Sequence, residues 1–539
     1  MRSFRDEWRE SYGRWWWLDL AALALLVFAL GAVKPLDDPD LPMHLATGEW
    51  IVRHHAVPFV EPFAWTRAGA PYFAYSWLLE VLYYGMLRWF GPIGLHVLNG
   101  ILVVAVGAAT LVLGHAARWR PWISLALAAF GIGVANMIVA SLRPQLVLLS
   151  LVPLAWALGY RVLQRERPGA PLAALCLVSA VAANSHLFFV LTALPLSLVF
   201  VVPGATWRRT LAMAVAIGAG WLLTPYALAW PAVFRLNFGY NALLVHPSPI
   251  NEFRPGFSSG FFGLAFAAAL AVIPWGIGHD AVPQRERRVH AALWLAGLVS
   301  FAFAVRLLMV WWLAVLPAAA IALATTARVV PERPPRPVVR AATYLVASAL
   351  LVALSVHLED IWRGEGTVAT RRLPVSAARS IEPLLDWLAC NTAPEAGGRI
   401  FTWFNYGSYL AWRLPSYSES IDGRTIFPDS VARAEVLSSG WLAPKTFATW
   451  SSADVAIVPR RFRVAAELDR APQWRLVAWS YESPDGSSTV GLWVRRDWWA
   501  RMGRGQLPGR VRPLLASWMD PTPACAAPAR PSYVTAGAR

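Results

Sequence analysis

Long apolar stretches joined by short arginine-bearing connections fill the first two-thirds of the chain. The first runs over residues 18–33. Others fall near 93–114, 121–139, 144–160, 171–184, 186–203, 208–229, 259–278, 290–304, 307–327 and 341–357. Repeated runs of about 18 or more apolar residues can each cross a hydrocarbon core of ~30 Å as a helix. The pattern therefore predicts a polytopic α-helical membrane protein. The acidic residues Asp6, Glu7 and Glu10 in the N-terminal segment and the absence of a clear small-x-small site favour an uncleaved first span over a signal peptide.

The arginines orient the spans. Arg118 and Arg120, then Arg161, Arg165 and Arg167, then Arg208 and Arg209, then Arg285, Arg287 and Arg288, and finally the 328–340 segment stand between runs. Placed inside by the positive-inside rule, they are separated by even numbers of spans. One segment resists that scheme: residues 75–90 are apolar but short, carry Glu80 and Arg88, and as a span would put every later cluster on the wrong side. They are read as a surface helix, as are 41–54. The count becomes about eleven spans with a cytoplasmic N-terminus. The pair 171–203 is tight for two spans and fits a broken helix as well.

Past residue 357 the period changes. Short strand-like runs near 399–403, 454–458, 474–479 and 489–494 alternate with helical patterns at 375–390, 405–414, 429–438 and 460–469. That alternation predicts a small α/β domain over 358–496, carried outside by the last span, after a membrane domain over 1–357. The Arg, Pro and Ala-rich tail from 497 to 539 is expected to be loosely ordered.

Composition then narrows the function. The net charge of +16 would ordinarily raise nucleic acid as a partner, but its arginines are spread through membrane loops, so nucleic acid is excluded and membrane lipids are the surroundings. The 30 tryptophans suit interfacial belts. Cys176 lies within an apolar run, so only Cys390 and Cys525 could pair, and their spacing gives no reason to expect it.

Only 15% of residues are charged, which makes the first outer loop, 35–92, conspicuous. It holds Asp37, Asp38 and Asp40, then His44, Glu49, Glu61 and Glu80. On the predicted topology it meets the turn Ser141-Leu142-Arg143-Pro144-Gln145 and a loop containing His246 and Glu252. Grouped carboxylates suit general-base or metal-assisted chemistry, and a divalent cation is the cofactor such a loop could take. A permanently charged, forked guanidinium suits phosphate, which points to Arg143; Arg306, within an apolar run, is a second such cation. Blander roles compete. Asp40 stands where a helix N-cap would, Glu61 precedes Pro62 and could cap a turn, Glu80 could snorkel, and His44 could be structural. Capping does not need three aspartates in four positions.

The segment 38–72, DPDLPMHLATGEWIVRHHAVPFVEPFAWTRAGAPY, the Arg143-Pro144-Gln145 turn and the 404–424 segment FNYGSYLAWRLP…SIDGR together resemble the C-type glycosyltransferase superfamily (GT-C), whose members include protein mannosyltransferases, aminoarabinose transferases and oligosaccharyltransferases. The resemblance implies a polyprenyl-phosphate-linked sugar donor, a glycan, lipid or protein acceptor, inversion at the anomeric carbon, and a bacterial inner-membrane location. It implies Asp40 or Asp38 as base, or as holding a metal or the acceptor; beside it Arg143 and Arg306 are the candidate donor-phosphate ligands, and Glu61, Glu80, His44, Glu252 and His246 are candidates for supporting roles. Two departures stand out: Leu41 follows Asp40 where relatives carry a second acid, and Gln145 replaces the acid of an Arg-Pro-Asp turn. The competing classes are a transporter or flippase of a lipid-linked saccharide and a non-catalytic scaffold. A transporter would place its polar groups near the bilayer midplane rather than in a surface loop.

Overall fold

The computed structural model describes residues 4–138, 142–238, 283–303, 307–326, a few positions between 341 and 354, 373, 376–393, 395–424, 426–427, 431, 452–481 and 488–514. The predicted runs at 259–278 and 341–357, the helix at 429–438, and Arg306, His246 and Glu252 lie wholly or largely outside these residues.

A short amphipathic helix α1 (Phe4–Tyr12) turns by 93° into α2 (Trp16–Ala32), the first apolar helix. Then come α3 (Leu41–His54), α4 (Trp77–Ala116), α5 (Pro121–Ile138), α6 (Gln145–Gln164) and α7 (Gly169–Ala183). After these stand a 3₁₀ segment (Leu187–Phe200), α8 (Trp207–Leu222) and α9 (Trp230–Phe238), with α10 (Gln284–Phe303) and α11 (Leu308–Thr326) further on. Among the described residues α4 and α6 are each long and apolar enough to cross a membrane, and α1–α2 and α8–α9 qualify if each bent pair is one span.

Three departures from the sequence pattern have local causes. Residues 75–90 do not stand alone but continue into the next helix through a break at Gly91, whose φ of 63° only glycine adopts cheaply and whose successor is Pro92. Trp89 and Phe90 are exposed at that break. The expected run 208–229 stops at Leu222, because Pro225 offers no N–H and disfavours a helical residue before it; the chain turns by 100° into α9. The stretch after α7 is 3₁₀ in form. At roughly 2 Å per residue its 14 residues reach about 28 Å, close to the hydrocarbon thickness that an α-helix needs some 20 residues to cross.

The C-terminal part begins with α12 (Ser376–Asn391). It continues through β1 (Gly398–Thr402), α13 (Phe404–Arg413), β2 (Tyr417–Glu419), β3 (Val455–Pro459), α14 (Arg463–Arg470), β4 (Trp474–Tyr481), β5 (Thr489–Arg495), α15 (Arg496–Met502) and β6 (Arg512–Leu514). The strands form one mixed sheet in the order β2-β1-β3-β5-β4-β6. β1 is parallel to both β2 and β3, β5 is antiparallel to β3 and β4, and β6 is parallel to β4. The four strand-like runs read from sequence are β1, β3, β4 and β5. The tail expected to be loose from 497 is ordered as far as Leu514: α15 buries Trp498 and Trp499, and β6 completes the sheet edge. Cys390, near the end of α12, is disulfide-bonded, which corrects the expectation of unpaired cysteines; Cys176 is free.

The two parts share a core. Leu41, Leu45, Tyr83, Tyr84 and Leu87 from α3 and α4 belong to the same buried apolar cluster as Trp412, Ile400, Val455 and Leu492 from the C-terminal part. Helix α3 is thus covered on both sides, by α4 and by α13, which explains why Thr47, Gly48 and Glu49 are buried along with its apolar face. Gly48 is the closest approach to α4: a Cβ there would overlap the Glu80 carbonyl.

Candidate functional site

The chain leaves α2 through the Asp37–Asp40 turn and enters α3. Asp40 occupies the N-cap position, but its carboxylate makes no capping hydrogen bond; only its carbonyl accepts from the amides of Met43 (3.0 Å) and His44 (3.2 Å). Asp38 holds the turn instead, accepting from the Asp40 amide at Oδ1 (2.8 Å). Capping therefore does not account for the Asp40 side chain.

Arg143 reaches the same turn from the start of α6, where Pro144 presets the helical entry. Its Nε donates to Asp38 Oδ2, and its Nη2 stands 3.7 Å from Asp40 Oδ2. The two carboxylates differ in exposure. The Asp38 side chain is 2% exposed and that of Asp40 36%. A buried carboxylate bonded to both a guanidinium and a backbone amide is a positioning group. A carboxylate about a third open to solvent beside the same guanidinium can exchange a proton with a third molecule.

His44, one turn into α3, directs Nδ1 at Glu80 Oε1 on α4 (3.0 Å). Burial works against its imidazolium, but the Glu80 hydrogen bond and charge, with Asp40 and Asp38 behind them, outweigh it and raise the pKa above the ordinary value. Glu80 is buried rather than snorkelling, and the second oxygen of its carboxylate has no hydrogen-bond partner among the described residues.

Glu61 belongs to a different cluster. Its Oε1 accepts from the amides of Phe63 (3.0 Å) and Ala64 (3.2 Å) and from Arg424 Nη2 (2.9 Å). Arg424 is also gripped by Asp422, through Nε (2.8 and 3.0 Å) and Nη2 (2.5 Å), and lies over the Tyr72 ring at 4.9 Å. Arg67 completes the group, donating to the carbonyls of Pro71 (2.7 Å) and Ile426. Glu419 lies 3.9 Å from Arg424, and neither of its oxygens has a hydrogen-bond partner among the described residues. Burial, then the charge of Asp422, push its pKa well above the carboxylate range against the pull of Arg424.

This second cluster fastens the first loop to the sheet. Ala64 bridges Glu419 at the β2 edge, Thr66 Oγ1 donates to the Ser420 carbonyl (2.6 Å), and Trp65 Nε1 donates to the Ile400 carbonyl (3.3 Å). The two clusters meet at Gly423, which packs against Asp40 Oδ1 so closely that a Cβ would overlap it. The structure thus brings Asp38, Asp40 and Arg143 together, seats His44 and Glu80 as a pair beside Asp40, and sends Glu61 elsewhere. Sequence reasoning missed Arg67, Glu419 and Arg424; the SIDGR motif was the signal that could have found the last. Among the described residues no three His, Cys, Asp or Glu side chains gather as a metal would need.

No model of a known protein family matches the sequence, and no curated protein matches it. Among solved structures, the arabinofuranosyltransferase AftD from Mycobacteria aligns over 89% of this chain at 16% identity with a TM-score of 0.50. That alignment takes in 41% of the AftD chain, so the present chain spans less than half its length. ArnT from Cupriavidus metallidurans bound to undecaprenyl phosphate aligns over 88% of this chain and 98% of its own, at 14% identity and a TM-score of 0.47. The likeness to AftD shows a shared fold.

Proposed function

We propose that this chain is an integral-membrane glycosyltransferase that moves a sugar from a polyprenyl-phosphate carrier to an extracytoplasmic acceptor. The observation that carries the reading is the Asp38–Arg143–Asp40 arrangement, in which a permanent cation is anchored by one buried carboxylate and flanked by a second that solvent can reach. The fold shared with AftD, an arabinofuranosyltransferase, supports the same class.

In this reading the acceptor hydroxyl or amine gives its proton to Asp40 while its heteroatom attacks the anomeric carbon. The carbon–oxygen bond to phosphate breaks on the far side, which inverts the centre, and the polyprenyl phosphate leaves with the bonding pair. Arg143 faces the charge that develops on that phosphate, where a fixed donor contributes most. Asp38 aims the guanidinium. His44, whose pKa the hydrogen bond and charge of Glu80 raise, stands beside Asp40 and adds positive charge there when protonated. Arg306 is a further phosphate candidate, and Glu252 and His246 remain candidates on the acceptor side.

The membrane domain is assigned to 1–357 and the soluble domain to the part from 358 through β6, which ends at Leu514, with the N-terminus cytoplasmic and the site on the outer face of a bacterial inner membrane. The arginine-bearing inner connections support that orientation. So does the disulfide at Cys390, which fits an oxidising compartment.

The test uses proteoliposomes and a panel of labelled polyprenyl-phosphate sugars, with a photoreactive polyprenyl phosphate as a binding probe. Asp40→Asn should lose transfer by about 10²–10⁴-fold, the usual scale for a general base, while keeping probe crosslinking and thermal stability. Full transfer by the Asp38→Asn, Asp40→Asn double variant sinks the proposal.

A further inference from the structure

Gly423 lies in the Ser420-Ile421-Asp422-Gly423-Arg424 turn of the C-terminal part, far in sequence from Asp40. The turn is held by hydrogen bonds on both sides of Gly423. Ser420 Oγ accepts from the Thr402 amide (3.1 Å), and Asp422 Oδ1 accepts from the Arg424 amide (2.8 Å). The Gly423 amide donates to Ser408 Oγ (3.2 Å), and Arg424 is tied to Glu61 of the first loop. A rigid piece of backbone therefore stands against one oxygen of Asp40 while Arg143 stands 3.7 Å from the other. Any side chain here would have to displace Asp40, since a Cβ would overlap Asp40 Oδ1 and lie 3.3 Å from Ser408 Oγ.

Resting on the transferase reading above, we infer that Gly423 is a positioning residue for Asp40: the backbone of this turn forms the wall that holds the Asp40 carboxylate toward Arg143, so the C-terminal part completes the site instead of merely following it. The contact is with the terminal carboxylate of a flexible aspartate side chain, which gives way more readily than backbone would. Adding one methyl group should therefore move Asp40 without unfolding the protein.

The experiment is Gly423→Ala in the full-length protein, read in three ways. Carbodiimide labelling of the Asp40 carboxylate, located by mass spectrometry, should rise several-fold, with buried Asp38 as an internal control. Transfer should fall by about 10–100-fold in kcat, the scale on which a misplacement of about 1 Å acts, with the KM for donor unchanged. The thermal midpoint should stay at the parent value. Unchanged Asp40 labelling overturns the inference whatever happens to transfer. Raised labelling with intact transfer also overturns it, and Asp40→Asn then tells why. If that variant still transfers, the base was misassigned and the functional reading fails with it. If it does not, Asp40 is the base and Gly423 is not what aims it.

Discussion

Two arginine–carboxylate clusters lie on either side of Gly423, and their chemistry diverges although their side chains are the same. Around Arg424, every charged group is buried or nearly so, and the bonds run between the first loop and the β2 edge. Around Arg143, one acid is sealed and the other is a third exposed. The first arrangement has no room for a visitor, and its role is to fasten. The second leaves a carboxylate reachable beside a guanidinium, as a reaction on an outside molecule requires. Ion pairing alone would not have separated a clamp from a site. Exposure of one member does.

The comparison breaks most visibly if Asp40→Asn and Arg424→Ala are exchanged in their effects. Asp40→Asn is expected to cost about 10²–10⁴ in transfer and nothing in melting temperature. Arg424→Ala strands Glu61 and Asp422 as buried charges without their cation, a situation that costs about 3–5 kcal/mol. Detergent-solubilised protein should then melt well below the parent, with the first loop newly open to proteolysis. A parent-like melting curve for Arg424→Ala would mean that the cluster fastens nothing.

Arg143→Lys sharpens the difference at smaller amplitude. It keeps the charge and removes the fork, so the stability loss should be slight while binding of the photoreactive polyprenyl phosphate weakens. Hydrogen bonds to a charged group contribute about 1.5–3 kcal/mol each, so losing one predicts roughly 10–100-fold weaker crosslinking. Unaltered crosslinking would remove Arg143 from the phosphate role and leave it as a structural partner of Asp38.

How much of this was legible in the chain follows from the range over which each signal acts. Apolar runs and the β1, β3, β4 and β5 patterns are local, and so are the three aspartates before α3. The meeting of Arg143 with Asp38, 105 residues apart, was reachable only through the topology implied by counting arginines. The Glu61–Arg424 pair, 363 residues apart, left no local trace, and Glu61 read alone looked like a turn cap or a supporting acid. The break at Gly91 and the turn at Pro225 were visible as residues but outweighed by continuous hydropathy. The order of 497–514 was hidden because a composition rich in Arg and Pro says nothing of Trp498 and Trp499 finding a core.

The smallest effect separates two acids within the sealed cluster. Glu61 accepts hydrogen bonds that a carboxylate makes best, whereas burial and the charge of Asp422 raise the Glu419 pKa well above the carboxylate range. A carboxyl whose folded pKa lies above its unfolded value of about 4.3 binds more protons when folded, so its contribution to stability falls as pH rises from that point toward the folded pKa. Removing the titration with Glu419→Gln should therefore leave stability unchanged near pH 4 and raise it slightly at neutral pH, flattening the decline in melting temperature between the two. Glu61→Gln should do the reverse, lowering the melting temperature at neutral pH by weakening the bond to Arg424. If Glu419→Gln destabilises as Glu61→Gln does, Glu419 is ionised in the fold, and the cluster is held by three carboxylates on two guanidiniums.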